Sequence, residues 1–264
     1  MERIVKALEK ARLAGYGAPD HGSAAGSAPP PAGTATPFAY TRTRTVPVAP
    51  EFLRHTNVVA GFPSGPFVDA YKVLRTKVLQ KMRERDWNVL AVAGASPASG
   101  ATLTAVNLAI SLAWEVNQTV LLVDANLRQP GVHRALGLDV SAGLADYLLE
   151  DTPIERILLH PEGIERFLVL PGGRPLAGSA ELLSSPRMTH LADELKHRYP
   201  SRIVLFDLPP MTTSDTMAFL PRVDAVVLVA QEGGTTEAEL QQAIAHLGQA
   251  PLLGTVLNQA EGDR

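Results

Sequence analysis

Residues 89–114 read VLAVAGASPASGATLTAVNLAISLAW, and the rest of the chain is interpreted outward from this segment. An apolar run at residues 89–93 is followed by a turn that contains Gly94 and Gly100, and then by a helical pattern. A buried strand, a glycine-containing turn and a helix N-terminus are the arrangement in which backbone N–H groups face a bound phosphate. The segment therefore predicts a phosphate-binding loop, made up of Ser96, Pro97, Ala98, Ser99, Gly100, Ala101, Thr102 and Leu103.

This loop departs from the usual phosphate-loop pattern, G-x-x-x-x-G-K-[ST], at two positions. Gly100 and Thr102 occupy the second glycine position and the hydroxyl position. Ala95 stands at the first glycine position, one residue after Gly94, and Ala101 stands at the lysine position. We therefore expect a loop that retains its backbone shape and lacks its positive charge.

Further apolar runs alternate with helical patterns along the chain. Such runs, apolar on both faces, are typical of strands in a parallel sheet that is covered by helices on both sides. The sequence predicts an α/β fold of the P-loop NTPase type, with a mostly parallel sheet. The predicted strands are residues 119–123, 202–206, 225–229 and 252–257, and the predicted helices are residues 143–150, 187–198 and 236–247.

Two aspartates follow directly on predicted strands. Asp124 and Asp207 each end an apolar run, and ligands of such sheets bind at the carboxyl ends of the strands. Asp207 is a candidate Walker B carboxylate, which holds Mg²⁺ directly or through water. We expect Thr102 to offer its hydroxyl to the same ion, and Asp124 to act as a second metal contact or as a base.

Composition excludes several classes of protein. The 264 residues carry a net charge of −3, which does not favour nucleic acid as a partner. There is no cysteine, so disulfides and thiolate metal sites are excluded. The start of the chain is too charged for a signal peptide, and no apolar run reaches the roughly 18 residues that span a bilayer. We expect a cytoplasmic protein that reaches the membrane only through a partner.

The chain divides into three predicted parts. Residues 1–14 have the pattern of a short amphipathic helix, suited to packing on its own domain or docking on a partner. Residues 15–60, rich in Gly, Ala, Pro, Ser and Thr in their larger part, are predicted to be a flexible linker. Residues 61–264 are predicted to form the P-loop domain.

The order of these motifs resembles the bacterial tyrosine kinases of capsule and exopolysaccharide synthesis, within the MinD/ParA-like P-loop class. That family has P-x-x-G-K-[ST], then D-x-D-x-R after the next strand, then D-x-P-P. Here the same three places read SPASGAT at residues 96–102, DANLR at 124–128 and DLPP at 207–210. Further similar stretches are RQPGVH at 128–133, GLADYL at 143–148, ELLSSPRM at 181–188 and GTVLN at 254–258.

The resemblance implies ATP or ADP with Mg²⁺ as the cofactor and protein tyrosine as the phosphoryl acceptor. It also implies a membrane polysaccharide co-polymerase, a chain-length protein, as the partner, and oligomers with kinase-like subunits. The ring-forming E-x-x-R-x-x-R row of the family appears as Asp69, Lys72 and Arg75, so we expect these residues at a subunit contact. Lysine in place of arginine loses the planar fork geometry.

Three departures from the family point to weak catalysis. Ala101 replaces the lysine, Asn126 replaces the second aspartate of D-x-D-x-R, and no tyrosine cluster follows Tyr199. Loss of a charged hydrogen bond costs about 1.5–3 kcal/mol, so nucleotide affinity would fall roughly ten- to a hundred-fold. Loss of a preorganised charge slows transfer by a further factor on the order of 10²–10³. We expect a catalytically impaired, pseudokinase-like regulator of polymerisation or export.

Two alternatives stay open at the level of sequence. One is an active tyrosine kinase that uses a lysine from elsewhere in the chain, with Lys72 and Lys77 as candidates if the fold brings them in, or that phosphorylates a partner. The other is a ParA/MinD-like partitioning ATPase, which is disfavoured because its additional loop lysine would stand at Ser96.

Overall fold

The computed structural model describes residues 43–65, 67–115, 118–198 and 201–260. Its strands are β1 (Arg44–Val46), β2 (Val89–Gly94), β3 (Thr119–Asp124), β4 (Leu159–Pro161), β5 (Phe167–Leu170), β6 (Arg202–Asp207), β7 (Ala225–Gln231) and β8 (Leu252–Asn258). Within the described ranges these strands form one eight-stranded sheet, in the order β1-β4-β5-β3-β6-β2-β7-β8. Strand pairs are parallel except for β4 with β5, which confirms the predicted mostly parallel sheet.

Helices cover both faces of this sheet. On one face lie α1 (Pro50–His55), α2 (Val68–Arg85), α3 (Ala101–Ala113) and α4 (Val132–Leu136). On the other lie α5 (Leu144–Glu150), α6 (Ile154–Ile157), α7 (Ser179–Leu183), α8 (Pro186–His197), α9 (Ser214–Phe219) and α10 (Glu237–His246). A 3₁₀ turn, Leu220–Arg222, follows α9. The predicted helices at 143–150, 187–198 and 236–247 are confirmed to within one or two residues as α5, α8 and α10.

The sheet has a separate apolar core on each face. Leu90 and Val92 of β2 pack into the core with α1 to α4, whereas Val89 and Ala91 point to the core with α5 to α10. All six residues of β2 are buried. Alternate side chains of a strand point to opposite faces, so burial on both faces requires the continuous apolar runs seen in the sequence.

The folded domain begins before the predicted boundary at residue 61. Residues 44–46 form β1, which pairs in parallel with β4, and residues 50–55 form α1. Val46, Leu53, Val58 and Ala60 are buried in the same core as β2. The prediction of a linker over 15–60 is therefore wrong for residues 44–60. The few apolar residues there are too sparse to fold alone, but they dock on a core that is already present.

The predicted helix at residues 1–14 and the rest of the predicted linker, through residue 42, lie outside the described residues. Among the residues that are described, no helix is both long enough and apolar enough to span a bilayer.

Candidate functional site

The predicted phosphate loop joins β2 to α3 with its shape preserved. Gly100, the N-cap of α3, has a φ of +83°, which favours glycine, and Ala98 has a φ of +60°. A Cβ at Gly94 would lie 2.8 Å from the Ser96 carbonyl oxygen, a backbone atom that cannot easily move away. Gly94 is therefore required by the close approach of the backbone, and Gly100 by its positive φ.

Two residues near the carboxyl ends of β7 and β8, Thr235 and Asn258, hold the phosphate loop in place. The Asn258 side chain, at the end of β8, donates to the Ser99 carbonyl at 3.0 Å. The buried Ser96 and Thr235 hydroxyls are 2.8 Å apart, and Thr235 also accepts from Gln231 N. Sequence reasoning missed Thr235 as a loop contact. Its only signal was its position in the turn after β7, at the same end of the sheet.

A cleft of about 440 Å³ lies over the loop. One wall is formed by the phosphate loop itself, including the half-buried Ala101 at the lysine position. The others contain Thr56, Asn126, Gln129, Gly131 and Arg134. Thr56 belongs to the segment predicted to be linker, and its hydroxyl donates to the Ala135 carbonyl at 2.8 Å. The cleft thus has the shape of a nucleotide site whose loop contributes no cationic side chain.

The two predicted aspartates lie side by side beneath the cleft. Asp124 and Asp207 are opposite each other on β3 and β6, and both are fully buried. Asp124 Oδ2 accepts from Gly131 N at 2.8 Å and from Val132 N at 3.0 Å. Within the described residues, no hydrogen bond of ordinary geometry reaches Asp124 Oδ1 or either Asp207 oxygen, although the Thr102 hydroxyl lies close enough to Asp207 to lower its pKa. Buried oxygens of this kind are expected where a ligand completes the site.

Both carboxyl groups are costly to ionise in this position. Burial and the adjacent Asp124 raise the pKa of Asp207 well above its usual range, and the Thr102 hydroxyl offsets this only in part. Burial likewise raises the pKa of Asp124, against the lowering by the N–H groups of Val132 and Gly131. A divalent cation would remove this penalty, because two neighbouring carboxylates bind it best when both are ionised.

These residues fit a magnesium ion. Thr102, Asp124 and Asp207 supply oxygen donors, which are the ligand type that Mg²⁺ prefers. Both aspartates are buried. The described ranges contain no cluster of three or more His, Asp or Glu residues that would form an all-protein metal cage. Mg²⁺ bound by one or two carboxylates usually completes its shell with phosphate oxygens and water, which the open cleft above can admit.

The D-x-D-x-R segment is fixed by an ion pair between the exposed Arg128 and the buried Asp215. Arg128 Nε and Nη2 donate to Asp215 Oδ1 at 2.9 and 2.7 Å, and Asp215, which is fully buried, also accepts from the Ser179 hydroxyl. Burial raises the pKa of Asp215, but these hydrogen bonds outweigh it and the net pKa is lowered. Sequence reasoning missed Asp215 and Ser179. Their contact ties α9 and α7 to the loop that follows Asp124.

Asn126 takes no part in this pair. Its side chain lines the cleft, and Oδ1 accepts from Gln129 N at 3.3 Å within its own turn. The neutral amide therefore contributes shape to the cleft, and no negative charge.

The row Asp69, Lys72 and Arg75 does not form one exposed surface. Lys72 Nζ lies 2.9 Å from Asp69 Oδ1, and both side chains are exposed. Arg75 is turned towards its own chain, where Nη1 donates to the Ser111 carbonyl at 3.1 Å and Nε lies 3.3 Å from Glu115 Oε1. Neither Lys72 nor Lys77 lines the cleft, so neither replaces the loop lysine there.

No family model matches the chain. Its sequence is similar to tyrosine-protein kinase YwqD of Bacillus subtilis, with 33% identity over 193 residues, which are 72% of this chain and 80% of the relative. It is also similar to tyrosine-protein kinase etk of Escherichia coli, with 32% identity over 199 residues, 74% of this chain and 27% of the relative. EpsB of Ralstonia nicotianae is 31% identical over 199 residues, again 74% of this chain and 26% of the relative. The chain thus spans about a quarter of the length of these last two relatives.

Solved structures show the same relationship. The kinase domain of E. coli tyrosine kinase ETK matches with a TM-score of 0.70 and 27% identity, over 86% of this chain and 93% of that domain. The chimerical protein CapA2B2 matches with a TM-score of 0.72 and 25% identity, over 79% and 91%. The septum site-determining protein MinD of Pyrococcus horikoshii, complexed with Mg-ADP, matches at 0.54 and 21% over 64% and 69%, which shows a shared fold.

Proposed function

Because this chain belongs to the bacterial tyrosine-protein kinase family, we propose that it is a nucleotide-binding regulator in which phosphoryl transfer is impaired. The observation that supports the proposal is Ala101, which stands in an intact phosphate loop directly above two buried aspartates. A loop that keeps its backbone cradle can still hold phosphates, since backbone N–H groups provide much of the binding. It lacks the charge that stabilises the transferring phosphoryl group.

In the proposed site, the loop 96–103 holds the phosphates of ATP or ADP. Thr102, Asp124 and Asp207 hold Mg²⁺, which neutralises phosphate charge when it is bound. Asp124 is also the residue placed to act as a base, if any transfer occurs. The hydrogen bonds from Gly131 and Val132 orient its carboxylate, and the Arg128–Asp215 pair fixes the segment between them.

We place this regulator in exopolysaccharide or capsule synthesis, acting at the inner face of the membrane through a chain-length protein. The proposal includes assembly with kinase-like subunits through the surface around Asp69 and Lys72, next to Arg75. The side chains of Asp69 and Lys72 are exposed on α2, so their charges are available to a second chain. The family relationship supports this placement.

Calorimetry with Mg-ATP and Mg-ADP on the purified chain tests the central claim. The natural protein should bind measurably, and Ala101→Lys should bind roughly ten- to a hundred-fold more tightly, because one charged hydrogen bond is regained. Ala101→Met, which adds a side chain without charge, is the matched control and should show no gain.

A parallel assay for phosphotyrosine separates the two functional alternatives. The proposal expects no transfer by the natural chain, to itself or to a tyrosine-containing peptide. Tight binding with phosphotyrosine formation would instead establish an active kinase, for which the retained Thr102, Asp124 and Asp207 are the favourable observation.

A further inference from the structure

The cleft above the phosphate loop contains one formal charge. Of the described residues that line it, Arg134 is the only one with a charged side chain of either sign. It lies on α4, three residues after Gly131, and lines the same cleft as Ala101. Asp124 and Asp207 lie beneath the cleft surface, fully buried. Any anionic ligand in this cleft therefore meets one cationic side chain.

Arg134 is available for such a contact. Its side chain is exposed, and none of the hydrogen bonds or ion pairs within the described ranges involves its guanidinium. By contrast, Arg128, which precedes it in the same segment, is held by Asp215. A free arginine with five donors in a planar fork is suited to bind phosphate oxygens in a bidentate manner.

The charge of Arg134 reaches the metal side of the cleft. Burial is the largest influence on the pKa of Asp124 and raises it, whereas the positive charge of Arg134 is among the influences that lower it. The same charge lowers the pKa of the adjacent His133, together with the larger effect of burial. The guanidinium is thus close enough to the site to act on its groups.

We propose that Arg134 makes the cationic contact to the nucleotide phosphates that Ala101 cannot make. The inference rests on nucleotide binding at this site as proposed above, and it names the residue that supplies the charge. Arg134 approaches from α4, whereas a loop lysine would approach from the first turn of α3. A charge that arrives from this different side holds ground-state phosphates without the alignment that transfer requires, so binding persists while catalysis is weak.

The test is calorimetry of Mg-ADP binding to the full chain and to Arg134→Gln. We expect the dissociation constant to rise roughly ten-fold or more, because a charged hydrogen bond is lost. Arg134→Lys should retain most of the affinity. The matched control is Arg156→Gln, an exposed arginine on α6 that does not line the cleft, and it should leave the affinity unchanged.

A further measurement separates direct contact with the phosphates from an indirect effect on the site. In an Ala101→Lys background the loss should shrink, because the two charges serve the same phosphates. A loss of unchanged size in that background overturns the inference.

Equal affinity of the natural chain and Arg134→Gln also overturns the inference, and leaves nucleotide binding intact. Absence of Mg-ADP binding by the natural chain overturns the proposed function, and with it the claim that Arg134 supplies a usable charge.

Discussion

Asp207 ends a buried strand, and within the described residues neither of its carboxylate oxygens receives a hydrogen bond of ordinary geometry. In the absence of a cation such a residue opposes folding once it is ionised. Burial raises the pKa of Asp207, so the folded protein favours the protonated carboxyl group. The stability that Asp207 contributes is therefore fully present below about pH 4, and it is lost as the pH rises through the folded-state pKa of this residue. In the metal-free protein the ionised Asp207 therefore lowers stability, a cost that is common for groups in functional sites.

Asp207→Asn should stabilise the nucleotide-free protein at about pH 8, since asparagine does not ionise and burial disfavours the charged carboxylate. The gain should shrink as the pH is lowered towards about 3, where the aspartate is mostly protonated in both the folded and the unfolded state. Urea unfolding across this range, in the presence of a chelator, measures the effect. Asp139→Asn, at an exposed aspartate, is the control and should change stability by less than about 0.5 kcal/mol. Parallel stability curves for the natural chain and Asp207→Asn would contradict this account.

At the scale of elements, β1 and α1 are part of the domain. Ala60 N donates to Asn107 Oδ1 at 2.9 Å, and Trp114 Nε1 donates to the Ala60 carbonyl at 3.0 Å, so this segment is fastened to the middle and to the C-terminal end of α3. Leu53 of α1 is only 6% exposed. The segment also brings Thr56 to the cleft, which links its folding to the site.

Leu53→Ala should destabilise the protein by about 2–4 kcal/mol, the usual cost of a cavity in a packed core. Were residues 44–60 a linker, the same substitution would have almost no effect. Chemical denaturation measures the difference, with Glu51→Ala, at an exposed position of the same helix, as the control. A change below about 0.5 kcal/mol for Leu53→Ala would show that α1 does not pack on the core.

At the scale of the whole molecule, the proposed subunit contact involves fewer residues than the sequence row contains. Arg75 contacts Glu115 and Ser111 of its own chain, so it would stabilise the position of α2 and would not contact the second subunit directly. Asp69 and Lys72 are exposed to a second subunit. Their mutual ion pair adds little to the stability of one chain, since exposed pairs are typically worth less than about 1 kcal/mol.

Lys72→Glu should weaken self-association or association with a kinase-like subunit, because it places like charges side by side on α2. Sedimentation analysis over a range of concentrations measures the change, which we expect to be roughly ten-fold in the association constant, about 1.4 kcal/mol. Lys77→Glu, on a different side of the same helix, changes the net charge equally and should have little effect. If both variants behave as the natural chain does, this surface is not the contact.

Much of the fold could be predicted because its signals are local. The apolar runs at β2, β3, β6 and β7 are buried on both faces, so hydrophobic pattern alone marks them as strands of a covered parallel sheet. Gly100 and Thr102 identified the loop, since the turn needs a glycine at that place. The alignment of Asp124 with Asp207 followed from their positions at the carboxyl ends of parallel strands.

What sequence pattern missed depends on contacts between distant parts of the chain. β1 and α1 are stable through β4 and α3, which lie far away in sequence, so their short apolar stretches carried no sufficient local signal. Asp215, Thr235 and Arg134 were missed for the same reason, because a side chain's partner or its absence is set by the folded arrangement. Thus the residues specified a phosphate loop without its lysine, whereas only the tertiary structure could show which other cation shares the cleft. The local sequence determines the backbone shape of the loop. The electrostatic potential in the cleft, by contrast, is the sum of contributions from charged groups on every element that surrounds it.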